Sequence, residues 1–138
     1  MTQEQTAPER TDGFSVEAFA AWWAKPDLSN AREALAPDIV GDWPGEPELV
    51  RGVDAYVEQI AELLDLVPDL HLEVAEHAVN GEFLFIRWIA HGTGAKGPFE
   101  ITGIDRIRVG EDGRVAENII RFDRSLLDDL ARAKTPAE

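Results

Sequence analysis

At Pro68-Asp69 the sequence changes period. Upstream, apolar side chains recur every third or fourth residue; downstream they alternate. The first pattern belongs to a helix packed on one face, the second to a half-buried strand. Val16, Phe19, Ala20 and Trp23 fall at i, i+3, i+4 and i+7 behind a cap at Asp12 or Ser15, and Lys25-Pro26-Asp27 stops that helix. A second short helix turns Leu28, Ala31 and Leu35 inward and ends before Pro37, because a proline pushes its predecessor out of helical geometry. Asp38–Trp43 reads as a short strand broken by Pro44-Gly45 and Pro47. Gly52 opens a third helix, with Tyr56, Ile60, Leu63, Leu64 and Val67 on one face. Downstream, Leu70, Leu72 and Val74 alternate with His71, Glu73 and Ala75. Asn80-Gly81 and Asp112-Gly113 are hairpin dipeptides, since both residue types tolerate the left-handed backbone of a tight turn. They punctuate strands over Phe83–His91, Phe99–Val109 and Val115–Asp123, with Gly92–Pro98 as a hairpin loop, and residues 125–133 predict a last short helix. Helices followed by a four-stranded antiparallel meander make an α+β domain. Hairpins without crossovers exclude a doubly wound sheet.

At 138 residues the chain suits one domain, expected over 13–131, with 1–12 and 132–138 as disordered tails. Acidic side chains number 27 against 13 basic, a net charge of −14. Such a surface repels phosphate backbones and anionic lipid, so neither nucleic acid nor membrane is an expected partner. Cysteine is absent, which removes disulfides, thiolate nucleophiles and cysteine-bound zinc. Residues 1–12 are polar and lack the apolar stretch of a secretory signal, so a cytoplasmic location is expected. His71, His77 and His91 have no metal-ligand spacing, so no metal site is expected. Gly92–Gly97 lacks the Gly-Lys-Ser/Thr ending of a phosphate loop, and no nucleophile elbow is present.

Asp105 is the leading candidate for chemistry. In Ile101–Ile107 a period of two places it on one face with Ile101, Gly103 and Ile107, while Thr102, Arg106 and Arg108 take the other. A carboxyl among apolar neighbours loses hydration, so its pKa rises and it can hold a proton. A neutral acid can donate to a developing oxyanion or act as a general acid. Aromatic residues are the second signal. Four tryptophans are many for this length, and Phe19, Trp22, Trp23, Trp43 and Trp88 offer flat apolar rings of the kind that walls a pocket for a polycyclic or lipid-like ligand.

Several strings, taken in order, resemble the nuclear transport factor 2-like superfamily, and within it the ketosteroid isomerases and SnoaL-like polyketide cyclases. They are Pro26-Asp27-Leu28, Leu35-Ala36-Pro37-Asp38, Arg51–Tyr56, Asn80-Gly81, Gly92-Thr93, and Gly103–Val115 followed by Glu117. The resemblance implies a cone: a curved antiparallel sheet rolled around a cavity whose mouth the N-terminal helices cover. It places Asp105 at the oxyanion-hole aspartic acid of the isomerases. It places Phe19 where that family has its oxyanion-hole tyrosine, Ile60 where it has the supporting tyrosine, and the base at or beside Asp42-Trp43. With Trp43 inward there is no base; a one-residue shift turns Asp42 inward and lets Asp42 and Asp105 divide base and acid roles. Relatives resembling limonene epoxide hydrolase carry Arg two residues before their strand aspartate, a position held here by Gly103. Arg121 and Asp123 have the same spacing and read as a surface ion pair. Offsets from Asp105 put Asn118, Ile120 and Phe122 on the cavity wall beside Phe19, Trp23, Trp43 and Tyr56, with Asn118 as a polar anchor.

The expectation is therefore an enzyme needing no cofactor that acts on a cyclic ketone or polyketide-like substrate by general acid–base catalysis. The competing expectation is a non-catalytic binder of an apolar small molecule, or an association module of the same fold. Phe83–His91 is apolar on both faces, which predicts a homodimer that covers the outer face.

Overall fold

The computed structural model describes residues 14–132. The first helix, α1 (Val16–Ala24), is capped by Ser15, whose side chain accepts from the amide of Ala18. Asp12, the other expected cap, lies outside the described residues. A 3-10 helix over Leu28–Ala34 follows, then strand β1 (Leu35–Asp42) and the two-residue strand β2 (Val50–Arg51). Helix α2 (Val53–Leu66) buries Tyr56, Val57, Ile60 and Leu63. It starts at Gly52, whose φ of +92° lies in the left-handed region that a side chain disfavours. The meander is β3 (His71–Asn80), β4 (Phe83–Gly94), β5 (Gly97–Val109) and β6 (Val115–Arg121), closed by α3 (Arg124–Arg132).

The six strands form one sheet in the order β2-β1-β6-β5-β4-β3. Every neighbouring pair in the meander is antiparallel, as expected, whereas β1 runs parallel to β6. The sheet is therefore mixed at one junction. Helix α2 and strands β2 to β5 lie between β1 and β6 in sequence, so no hairpin dictates their relative direction. Ile39, Ile86, Ile107, Val67 and Leu127 are almost wholly buried and mark the core between the sheet and α2 and α3.

Several boundaries differ from expectation. The 3-10 helix leaves Leu28 exposed, and Leu35 begins β1. Pro37 sits inside β1, within the stretch where its pairing with β6 shifts register, a kind of strand position that spares a missing N–H. Asn80 pairs with Phe83, so the turn residues are Gly81 and Glu82, one place later than the Asn-Gly signal suggested. Gly94 pairs with Gly97 across a two-residue turn, so the glycine-rich segment is mostly strand. Helix α3 closes over the end of β4, where a Cβ on Gly94 would strike the Leu130 carbonyl.

Candidate active site

The concave face of β5 presents Ile101, Gly103, Asp105 and Ile107, and all but the glycine need burial or a partner there. Trp88 on β4 stands opposite Gly103. A side chain at 103 would collide with the Trp88 ring and come within 2.8 Å of the Arg121 carbonyl oxygen, so glycine is what admits the indole. Thus seated, Trp88 Nε1 donates to Asp105 Oδ1 at 2.9 Å. From β6, Asn118 Nδ2 donates at 2.9 Å to Asp105 Oδ2 and, at the same distance, to the Tyr56 hydroxyl oxygen of α2. Four elements thus contribute one buried network: β4, β5, β6 and α2.

Asp105 is 6% exposed. Burial pushes its carboxyl up to about 6, against the pull of the Asn118 and Trp88 hydrogen bonds, which favour the anion. Both oxygens accept N–H donors, so the ionised carboxylate is as well satisfied here as the acid. Burial also pushes the Tyr56 phenol upward, the Asp105 charge adds to this, and the Asn118 hydrogen bond opposes it. Tyr56 therefore keeps its proton throughout the physiological range. Asn118 was expected as a ligand anchor, but its amide hydrogens are spent inside the network, and its buried Oδ1 has no partner.

These groups line a cavity of about 250 Å³ between the sheet and the helices. Phe19, Trp23, Trp43, Tyr56, Asn118, Ile120 and Phe122 all face it, together with Asp105. Asp42 does not. Its carboxylate lies at the outer end of β1 and takes the Arg121 guanidinium at 3.0 Å, while Trp43, one residue on, is buried against Tyr56 with ring centroids 5.2 Å apart. Gly41 allows that packing, since a Cβ there would come within 2.7 Å of both rings. The inward position is thus Trp43's, and the expectation of Asp42 as base fails on geometry. Arg121 is correspondingly not paired with Asp123, which instead accepts from Ser125 and from the Leu126 amide at the start of α3.

Trp22 and Trp88 belong to the aromatic set that the composition singles out, although the offsets from Asp105 place neither on the cavity wall. Both line the cavity, Trp22 with its Nε1 on Asn30 Oδ1 at 2.6 Å. The signal for Trp88 was Gly103, directly opposite an indole-bearing strand; only the β4–β5 register reveals it. Register also brings together His71 and His91, twenty residues apart, as stacked rings 5.1 Å between centroids on the opposite face from Asp105, with Glu73 2.7 Å from His91.

A family model described as a SnoaL-like domain matches residues 16–118. No curated protein matches the chain. Among solved structures, a protein assigned to the SnoaL-like polyketide cyclases from Jannaschia sp. CCS1 aligns with a TM-score of 0.76 at 15% identity, covering 95% of this chain and 99% of that one. IdmH of Streptomyces antibioticus, assigned as a polyketide cyclase, aligns with a TM-score of 0.69 at 23% identity, covering 87% and 96%. A protein of ketosteroid isomerase-like fold from Catenulispora acidiphila DSM 44928, in complex with trimethylamine, aligns with a TM-score of 0.72 at 18% identity, covering 95% and 100%. At these identities the likeness to the three structures is one of fold.

Proposed function

This chain belongs to the SnoaL-like domain family, and we propose that it is an isomerase or cyclase, independent of any cofactor, that acts on a cyclic ketone or polyketide-like substrate with Asp105 as its proton-handling group. The observation that carries the reading is a carboxyl buried in an aromatic cavity, hydrogen-bonded by two N–H groups and poised near 6. A base is most effective when its pKa lies close to the working pH. Ionised Asp105 takes a proton from the carbon next to the substrate carbonyl. The C–H electron pair moves into the enolate, and the Tyr56 hydroxyl, protonated and on the same wall, donates to the developing oxygen. The enolate carbon then takes the proton back at another position or attacks a second carbonyl, and Asp105 returns its proton, so no oxidant or co-reactant is consumed. In this reading Asp105 is base first and acid second, which replaces the oxyanion-donor role that the resemblance implied. The chain works as a homodimer paired through the outer face of its sheet.

Proton exchange tests it. Enolisable bicyclic ketones and 1,3-diketones, incubated with the protein in deuterated buffer and followed by NMR, are expected to exchange their α-protons faster than in buffer. Asp105→Asn is expected to lower that rate about 100-fold or more, the usual worth of a positioned base. Binding without exchange would leave the non-catalytic reading, which the absence of a hydroxyl at Phe19 and Ile60 favours.

A further inference from the structure

The cavity has a charge pattern that the ketone chemistry does not require. Among the described residues that line it there is no lysine, arginine or histidine, and its two ionisable carboxyls are Asp105 inside and Glu33 at the mouth. All four tryptophans of the chain, Trp22, Trp23, Trp43 and Trp88, are on its wall. Asp105 is 94% withdrawn from solvent by its 6% exposure, and its partners are two neutral N–H groups rather than a cation. A buried carboxylate is ordinarily paired, because desolvation of an isolated charge is costly. Here each oxygen has one donor and retains acceptor capacity.

We infer that the cavity binds organic ammonium ions, with Asp105 as the counter-ion and the indole faces as the surrounding wall, and that it rejects ligands bearing a carboxylate or phosphate. Three physical effects point the same way. A cation supplies the charge that Asp105 lacks. The electron-rich faces of indole rings attract a desolvated cation, tryptophan most strongly of the aromatic side chains. The net charge of −14 and Glu33 at the mouth concentrate cations and deplete anions at the entrance. Conversely, an acid group entering the cavity would meet Asp105 with no cation to relieve either charge. This inference is independent of catalysis: it holds for a binder, and the ketone reading can fail without it.

Three probes of one bicyclic frame separate the effects of charge from those of shape: 2-aminotetralin as the cation, 2-hydroxytetralin as the neutral compound, and tetralin-2-carboxylate as the anion. Binding to the wild-type protein at about pH 7.5 is read by quenching of tryptophan fluorescence, since every tryptophan lines the site. The amine is expected to bind at least about tenfold more tightly than the alcohol, and the carboxylate at least about tenfold more weakly, on the scale of a desolvated cation–π contact plus an ion pair. Asp105→Asn is expected to bring amine and alcohol to within about threefold of each other, the amine losing more affinity than the alcohol. Equal affinities for amine and alcohol in the wild-type protein would overturn the inference, as would tight carboxylate binding or no binding of the amine. So would an Asp105→Asn protein that still prefers the amine to the alcohol at least about tenfold. None of these results bears on α-proton exchange, so this inference and the ketone reading fail separately.

Discussion

Asp105 contributes oppositely to stability and to chemistry. Its folded pKa of about 6 exceeds the ordinary carboxyl value of 3.8, so the folded chain binds more protons than the unfolded one between these pH values. Its favourable contribution is complete below the unfolded pKa, declines as pH rises, and is a constant penalty above the folded pKa. The shift corresponds to about 3 kcal/mol at neutral pH. Asp105→Asn is therefore expected to stabilise the protein by about 1–2 kcal/mol near pH 7 and to flatten its stability between about pH 4 and 7. Urea unfolding at both ends of that range measures this, and an asparagine variant less stable at pH 7 than the parent would contradict it. Trp88→Phe removes one N–H from the carboxylate while preserving an aromatic ring. The Asp105 pKa is expected to rise by about one unit, seen in a carboxyl-carbon NMR titration, because a hydrogen bond to a charged group favours the charged form.

At the level of elements, two glycines decide whether strands can carry their aromatic neighbours. Gly103→Ala would drive a methyl group into the Trp88 ring and the β6 backbone. Neither can yield without breaking the Trp88–Asp105 bond or the pairing of β5 with β6, so a loss of about 1–3 kcal/mol is expected in thermal or urea unfolding. The end of β1 gives the contrasting case. Asp42 and Arg121 are paired but largely solvated, with side chains 35% and 60% exposed, and such pairs are worth at most about 1 kcal/mol. Asp42→Asn is expected to change stability by less than that and to leave α-proton exchange within about twofold of the parent. A loss approaching that of Asp105→Asn would restore Asp42 to the reaction and require β1 to rotate.

For the whole molecule, the outer face of the sheet is what remains unpartnered. Phe85 on β4 is opposite Arg106, which is opposite Ile119 on β6; one row along, Arg87 is opposite Ile104. Ile104 is 46% exposed, and Arg106 lies 4.1 Å from the centre of the Phe83 ring. A face that mixes isoleucine and phenylalanine with arginines flanked by Glu76 and Glu117 suits pairing with a second copy, since each acidic rim can meet a basic stripe. Light scattering is expected to give twice the 15.3 kDa chain mass at micromolar concentration, and Ile104→Glu to halve it. A wild-type chain that scatters as one copy would exclude the dimer.

Period and turn chemistry by themselves determined the elements. Helical spacing before Pro68 and alternation after it needed only neighbours a few residues apart, and the alternation alone set Asp105 among Ile101 and Ile107. Ser15, Gly52 and the hairpin glycines were legible because a cap or a tight turn is a local requirement. The phase of β1 was not. Asp42 and Trp43 alternate, so a one-residue shift exchanges their faces, and a strand this short bounded by prolines carries too few apolar positions to choose. The tertiary structure chose by packing Trp43 and Tyr56 against the bare backbone of Gly41 and by giving Asp42 a cation outside. The same holds for the acid network. Trp88, Asn118 and Tyr56 lie 17, 13 and 49 residues from Asp105, and only the registers of β4, β5 and β6, with α2 laid across them, bring Trp88 and Asn118 to the carboxyl and Tyr56 to Asn118. Contact between distant residues depends on closing the sheet, and no short-range pattern records it.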